Sequence, residues 1–291
     1  MKKIISASRR TDLVAYYPGW LARALAEEKT LVLGPGRKKA QLVDLSPNSV
    51  HTLVLWSKNF RPLLENQHGL ADLLRKYDQV YLHFTITGLG ASFLERMVPP
   101  PEQALEQLAP LVELAGSPER ISIRFDPIIF WFEGNKRKLR TNFYFFEQLA
   151  DRMNRLGLRT VRFSFVQWYK KARDRASRVK LNYYDPTDEE KAKLVKEMME
   201  VAKHFQLELW SCSQKNIVSL TGVRPSACID GARLSALHPN REPASLIKDK
   251  TQRPDCFCTE SVDIGSYTQS CPSACLYCYA NPKVKDSNTE G

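Results

Sequence analysis

Short β-rich runs alternate with helical patterns along most of this chain, and few folds accommodate that alternation. Ile4–Ser8 is the first strand, and Pro18 then opens a helix through about Glu28, since proline suits a first helical turn. Thr52–Ser57 is the next strand, followed by a helical stretch ending near Tyr77. Val80–Thr87 precedes a helix from about Glu102 to Ala115, expected to kink at Pro110. Ile121–Phe125 precedes a helix in which Phe146, Leu149, Met153 and Leu156 recur at helical spacing. Val161–Val166 precedes Thr187–Phe205, where Thr187 and Glu190 form a capping box. Leu194, Val195, Met198, Val201, Ala202 and Phe205 make its apolar face. Leu207–Cys212 is a further strand.

Strands separated by helices pair in parallel through crossovers, so the chain reads as α/β. At least six such units fit a (β/α) TIM-like barrel, closed or partial. A doubly wound sheet is the runner-up, but no Gly-rich phosphate loop follows an early strand. Residues 1–227 form the barrel and 228–291 a loop-rich, cysteine-containing segment on its mouth, one continuous domain being the alternative. Within that segment Ser261–Tyr267 reads as one more strand.

In such a barrel the C-terminal strand ends converge on one mouth. Polar residues gather at those ends: Arg9, Arg10, Asp12, Lys58, Thr85, Thr87, Arg124, Asp126, Ser164, Gln167 and Ser213. Loops begin there, so a single polar end carries little weight. Arg124 and Asp126 carry more, because they are two apart on an apolar strand and share one face. An unpaired buried charge is costly, so they line the mouth or form a structural ion pair. His83 alternates with apolar neighbours and reads as a satisfied core histidine; the five histidines form no metal-spaced pair.

Lys and Arg outnumber Asp and Glu by 43 to 32, a net charge of +11. The excess fits an anionic small molecule, a peptide or nucleic acid, or an acidic protein partner. Basic clusters occur at Arg37-Lys38-Lys39, Lys136-Arg137-Lys138-Arg140 and Lys170–Arg175. No apolar run is long enough to span a membrane, and the N-terminus reads as a strand instead of a leader. A cytoplasmic protein is therefore expected.

The seven cysteines are more specific, since none lies before Cys212. An odd number without a secretion signal points to metal or catalysis instead of disulfides. Cys271, Cys275 and Cys278 form a C-x3-C-x2-C motif with Tyr277 before the last cysteine. Three thiolates on one loop can hold three irons of a [4Fe–4S] cube and leave the fourth iron open. Zinc, or thiols without a metal, are the alternatives. Cys212, Cys228, Cys256 and Cys258 match a second four-ligand site, a [4Fe–4S] cluster or a structural zinc; Cys212 and Cys228 could otherwise be packed thiols.

The cysteine motif resembles the signature of radical S-adenosylmethionine (SAM) proteins. Its extension Cys275-Leu276-Tyr277-Cys278-Tyr279-Ala280 is similar to the spore photoproduct lyase branch. The whole chain, from Ser6–Asp12 through Arg124-Phe125-Asp126-Pro127 to this ending, resembles a family called domain of unknown function 1848. The motif sits near the end of the chain, whereas radical SAM proteins usually carry it after the first barrel strand. A circular permutation reconciles the two if the strand before the motif lies beside Ile4–Ser8. The Gly-Gly-Glu triplet that grips the SAM amino group is absent.

The resemblance implies an enzyme that uses its open-iron cluster to cleave SAM reductively, giving a 5′-deoxyadenosyl radical that acts on a substrate. It implies catalytic roles for Arg124 and Asp126, and SAM or substrate contacts for the other mouth residues. Tyr267, Tyr277 and Tyr279 would shield the cluster. A flavodoxin- or ferredoxin-type donor would supply the electron. A redox or structural iron–sulfur protein that never cleaves SAM, and a basic zinc-stabilised nucleic-acid-binding protein, are the competing classes.

Overall fold

The computed structural model describes residues 1–33, 40–134, 138–266, 268–280 and 282. Arg37-Lys38-Lys39, Lys136-Arg137 and Tyr267 lie outside the described residues.

Eight strands make one sheet: β1 (Lys3–Ala7), β2 (Val50–Ser57), β3 (Val80–Thr85), β4 (Ile121–Ile128), β5 (Thr160–Phe165), β6 (Glu208–Ser211), β7 (Arg224–Pro225) and β8 (Val262–Asp263). Their order is β7-β6-β5-β4-β3-β2-β1-β8, and every neighbouring pair is parallel. The protein is thus α/β, with its strands laid down in chain order except for the last. β8 pairs with β1 in the register Ile5↔Val262 and Ser6↔Asp263, so the strand before the cysteine motif does lie beside the first. All eight residues of β2 are buried, as a strand covered on both faces requires. The main core joins β1–β6 to the flanking helices through Leu21, Leu53, Phe84, Phe125, Phe146 and Phe163.

The capping box forms as expected: Thr187 accepts from Glu190 N, and Glu190 reaches back to Thr187 N, opening Asp188–His204. Val195, Met198 and Ala202 carry its buried face. The expected helix over 102–115 divides into Pro101–Glu106 and Leu108–Ala115, and the break falls at Gln107 instead of Pro110. Pro110 stands in the first turn of the second piece, where its missing N–H loses no helical bond. The stretch ending near Tyr77 is likewise interrupted, with His68 and Gly69 at positive φ.

Several elements lie where no helix or strand is expected. Phe130–Glu133, following β4, is the centre of a three-stranded antiparallel sheet, with Lys138–Thr141 on one side and Tyr183–Tyr184 on the other. Lys29–Leu33 and Ala40–Asp44 form a separate antiparallel pair. Lys170–Arg178 is a helix whose Ala172 and Ala176 are buried under its charged surface. Gly231–Leu237, inside the loop-rich segment, is a helix capped by the Asp230 side chain on Arg233 N.

Candidate metal centre and its cavity

One cavity of about 270 Å³ opens beyond the C-terminal ends of the parallel strands, and all seven cysteines line it. The expected mouth residues Arg9, Arg10, Asp12, Lys58, Thr85, Arg124, Asp126, Ser164 and Gln167 line it too. Thr87 and Ser213 are not brought there. Thr87 is buried and donates to Glu95 Oε1 at 2.8 Å, and Ser213 is buried at a positive φ of 52° beside Cys212 Sγ. At both positions the chain has already turned away from the cavity.

The C-x3-C-x2-C loop is folded by short local bonds, Ala274 N to Cys271 O and Cys278 N to Cys275 O. Leu276 N also bonds Leu94 O, which anchors the loop to the segment after β3. Cys275 is buried; burial pushes its thiol well above the ordinary value, against the pull of Lys58.

The remaining four cysteines come from separate places: Cys212 after β6, Cys228 after β7, and Cys256 and Cys258 from one loop. Cys212 Sγ lies 3.9 Å from Cys228 Sγ. Arg124 Nη1 is 3.5 Å from Cys228 Sγ, and Ile229 N donates to Cys258 Sγ at 3.4 Å. Hydrogen bonds from Cys212 and Cys258, then the Arg124 guanidinium, hold the Cys228 thiol well below its usual range. A bond from Cys258 lowers Cys256 to about 6. Cys228 and Cys256 are therefore poised as thiolate, the form that binds metal, while the thiols that donate to them, Cys212 and Cys258, are pushed well up.

Among the described residues, the group of three metal-capable side chains with ligand atoms all within 4.8 Å is Asp78, His238 and Glu242. No three of the thiols meet that closely. A single zinc, with Zn–S near 2.3 Å, would hold its sulfurs roughly 3.8 Å apart along every edge. Cys212 and Cys228 stand at that spacing, 3.9 Å apart, but no third thiol among the described residues joins such a pair with all sulfurs within 4.8 Å of one another. Arg9 Nη2 is buried without a hydrogen-bond partner on a side chain that faces Cys258, Cys228 and Cys256, and a sulfide would give it one.

The Asp78–His238–Glu242 group is a different case, unforeseen in the sequence because Asp78 is far from the other two. Lys2 Nζ already stands 3.0 Å from Asp78 and 3.1 Å from Glu242. His238 Nδ1 accepts from Asn240 N, whereas a metal-bound histidine donates from its second nitrogen. The ammonium is the cation of this group.

Charges in the cavity wall are paired internally. Arg9 meets Asp249 at 3.5 Å, Arg10 meets Asp263 at 3.8 Å, and Lys58 meets Glu95 at 2.8 Å. Arg124 pairs with Asp126, whose other oxygen takes the Ser164 hydroxyl. Lining and pairing thus coexist at Arg124 and Asp126. The Tyr277 hydroxyl also donates to Glu95, so the aromatic before the last cysteine is fixed by a buried carboxylate. Asp12 accepts from Ser57 Oγ, Lys58 N and Ala15 N; burial nevertheless raises its carboxyl to about 6, against those bonds.

Trp56 forms part of the wall, with the Arg124 and Arg9 guanidinium carbons 5.1 and 5.7 Å from its ring centre. It stacks on His83 at 4.1 Å, and His83 Nε2 bonds Cys228 O at 2.7 Å. Burial and then Arg162 hold His83 neutral, well below its ordinary pKa, so it is a core histidine.

Fold and site together define an α/β protein with a thiol-lined cavity at the C-terminal ends of a parallel sheet. The chain belongs to the family described as Domain of unknown function (DUF1848), whose model matches residues 4–280. Neither a curated protein nor a solved structure matches it.

Proposed function

We propose that this chain is a radical SAM-type iron–sulfur enzyme built on a partial, permuted (β/α) barrel. The observation that carries the reading is the convergence of all seven cysteines, from one end of the sheet, on a single cavity. Cys271, Cys275 and Cys278 would hold a [4Fe–4S] cluster with an open iron, and Cys212, Cys228, Cys256 and Cys258 a second, fully ligated one. When bound and reduced, the open-iron cluster supplies the electron that cleaves SAM to methionine and a 5′-deoxyadenosyl radical.

The protein's own residues then have definite tasks. Lys58, held close by Glu95 and Tyr277, places a cation beside Cys275 and compensates the negative charge of a thiolate-bound cluster. Arg124 does the same for Cys228 while fixing Asp126. Asp126, oriented by Ser164 as well, offers a carboxylate to a ribose hydroxyl or an amine in the cavity. With no Gly-Gly-Glu triplet, the SAM amino group falls to such wall carboxylates. Electrons would come from a flavodoxin- or ferredoxin-type donor. No helix among the described residues is long and apolar enough to cross a membrane.

The test is anaerobic purification, reconstitution with iron and sulfide, metal counting, then SAM with dithionite. About eight irons per chain, and deoxyadenosine that disappears in Cys275→Ala, are expected. A clustered protein that makes no deoxyadenosine would be a redox or structural protein. Zinc in both sites would overturn the reading.

A further inference from the structure

The cations of this site divide into two populations. Those inside the cavity each have a carboxylate: Arg9 with Asp249, Arg10 with Asp263, Lys58 with Glu95 and Arg124 with Asp126. Arg253 lines the cavity, and Lys170, Lys171, Arg173 and Lys250 are carried on the segments of its lining residues Tyr169 and Gln252; all five are exposed, and no ion pair is found for them among the described residues.

The lip is fixed in place by the site itself. Arg175, on the inner side of the helix Lys170–Arg178, donates to Leu276 O at 3.1 Å and also to Cys278 O, which ties that helix to the cysteine loop. Arg253 reaches across to Gln167 Oε1 at 3.2 Å and lines the cavity beside Tyr169 and Tyr279. Those two tyrosines are 42% and 62% exposed and meet edge to face at 6.4 Å. Large aromatic rings left in water at a cavity mouth, flanked by uncompensated cations, form a stacking platform inside a basic groove.

The interior is charge-compensated and the rim is not, so a ligand fitting both has an uncharged part that enters and an anionic part that stays outside. A small carboxylate or phosphate would instead need uncompensated cations within. We propose that the substrate of this cavity is a single-stranded nucleic acid, its phosphates on Lys170, Lys171, Arg173, Lys250 and Arg253, and one base passing Tyr169 and Tyr279. A base inside a duplex cannot reach a recessed site without leaving the stack, which favours the single strand. The inference rests on the enzymatic reading above for the word substrate, but its binding is measured separately.

The experiment uses the full, cluster-loaded chain and a fluorescein-labelled single-stranded 20-mer of mixed sequence, read by fluorescence anisotropy across salt. Contacts to three to five phosphates give a slope of about −2 to −3.5 in log K against log salt. The K170E/K171E/R173E triple variant should bind at least tenfold more weakly at low salt with a flatter slope. Tyr169→Ala should weaken binding severalfold and leave the slope unchanged, as loss of stacking does. Gln at the three basic positions repeats the test without added repulsion, and circular dichroism verifies folding. Lys203→Glu, at the far end of its helix, should change nothing.

No binding at 50 mM salt, equal affinity for a duplex of the same sequence, or an unaltered affinity in the triple variant would each overturn the proposal. So would displacement by inorganic tripolyphosphate at equal phosphate concentration. Loss of reduction by an acidic flavodoxin in the triple variant, with oligonucleotide binding intact, would assign the rim to the electron donor instead. Deoxyadenosine formation by the wild-type chain without oligonucleotide reports on the enzymatic reading alone.

Discussion

Asp263 Oδ2 accepts the Ser6 hydroxyl at 2.9 Å across a separation of 257 positions. The same carboxylate takes Ser8 Oγ at 2.7 Å and the Arg9 and Gly265 amides at 2.8 and 3.0 Å. One side chain therefore fastens the strand before the cysteine loop to the first strand of the sheet. Asp263→Ala strips four donors of their acceptor and should cost about 3 kcal/mol, seen as a lower urea midpoint. Iron lost from the Cys271 loop should exceed that lost from the other set.

Gly265 gives a sharper version of the same experiment. A Cβ there would lie 2.0 Å from Ser8 Oγ, well inside contact distance. Gly265→Ala should displace the loop after β8 and lower deoxyadenosine formation, while leaving far-ultraviolet dichroism unchanged. Wild-type yield in this variant would show that the close approach is not needed.

The buried pair Lys58–Glu95 has a different signature. Glu95→Leu leaves an ammonium and the Tyr277 hydroxyl without their carboxylate, a loss on the order of 3–5 kcal/mol. Adding Lys58→Met should recover most of that stability in urea titrations. It should not recover SAM cleavage, because the cation beside Cys275 is gone.

Asp12 makes stability depend on pH. Its folded pKa of about 6 lies above the ordinary 3.8, so the folded state binds the proton more tightly than the unfolded chain. Stability is then greatest below the unfolded value and falls as pH rises through the folded one. Between pH 5 and 7.5 the loss from this group is roughly 1.5 kcal/mol. Anaerobic urea midpoints of Asp12→Asn should lack that part of the decline; parallel curves would refute the assignment.

The two cysteine sets should fail independently. Cys228→Ala and Cys275→Ala should each retain about half the iron of the wild-type protein, and only the second should abolish the spectral response to SAM. Complete loss of iron from either variant would mean that the sets form one centre.

Much of this architecture is legible in the sequence, and what is not has identifiable causes. Strands β1–β6 announce themselves as apolar runs bounded by polar ends, and Thr187 with Glu190 marks its helix start locally. The pairing of β8 with β1 follows once Ser261–Tyr267 is read as a strand. Lys170–Arg178 hides because its buried face consists of two alanines, too small to register as an apolar stripe. Asp263 and Glu95 escape because each is one acidic residue among many, and only the fold brings its donors together. Arg124 and Asp126 are visible because charge interrupts an apolar strand. Thr87 and Ser213 mislead because a residue after a strand end is not bound to follow the strand's alternation.

The neighbouring of β8 and β1 also has a consequence in time. A growing chain gives β1 its first partner, β2, soon after, but its second, β8, only once Val262 and Asp263 have been made. Every thiol of the cavity lies on the later part, from Cys212 onward. The thiol wall of the cavity is therefore completed only after strands β1–β6 are made, and a product truncated before Cys271 lacks the three thiols proposed to hold the open-iron cluster.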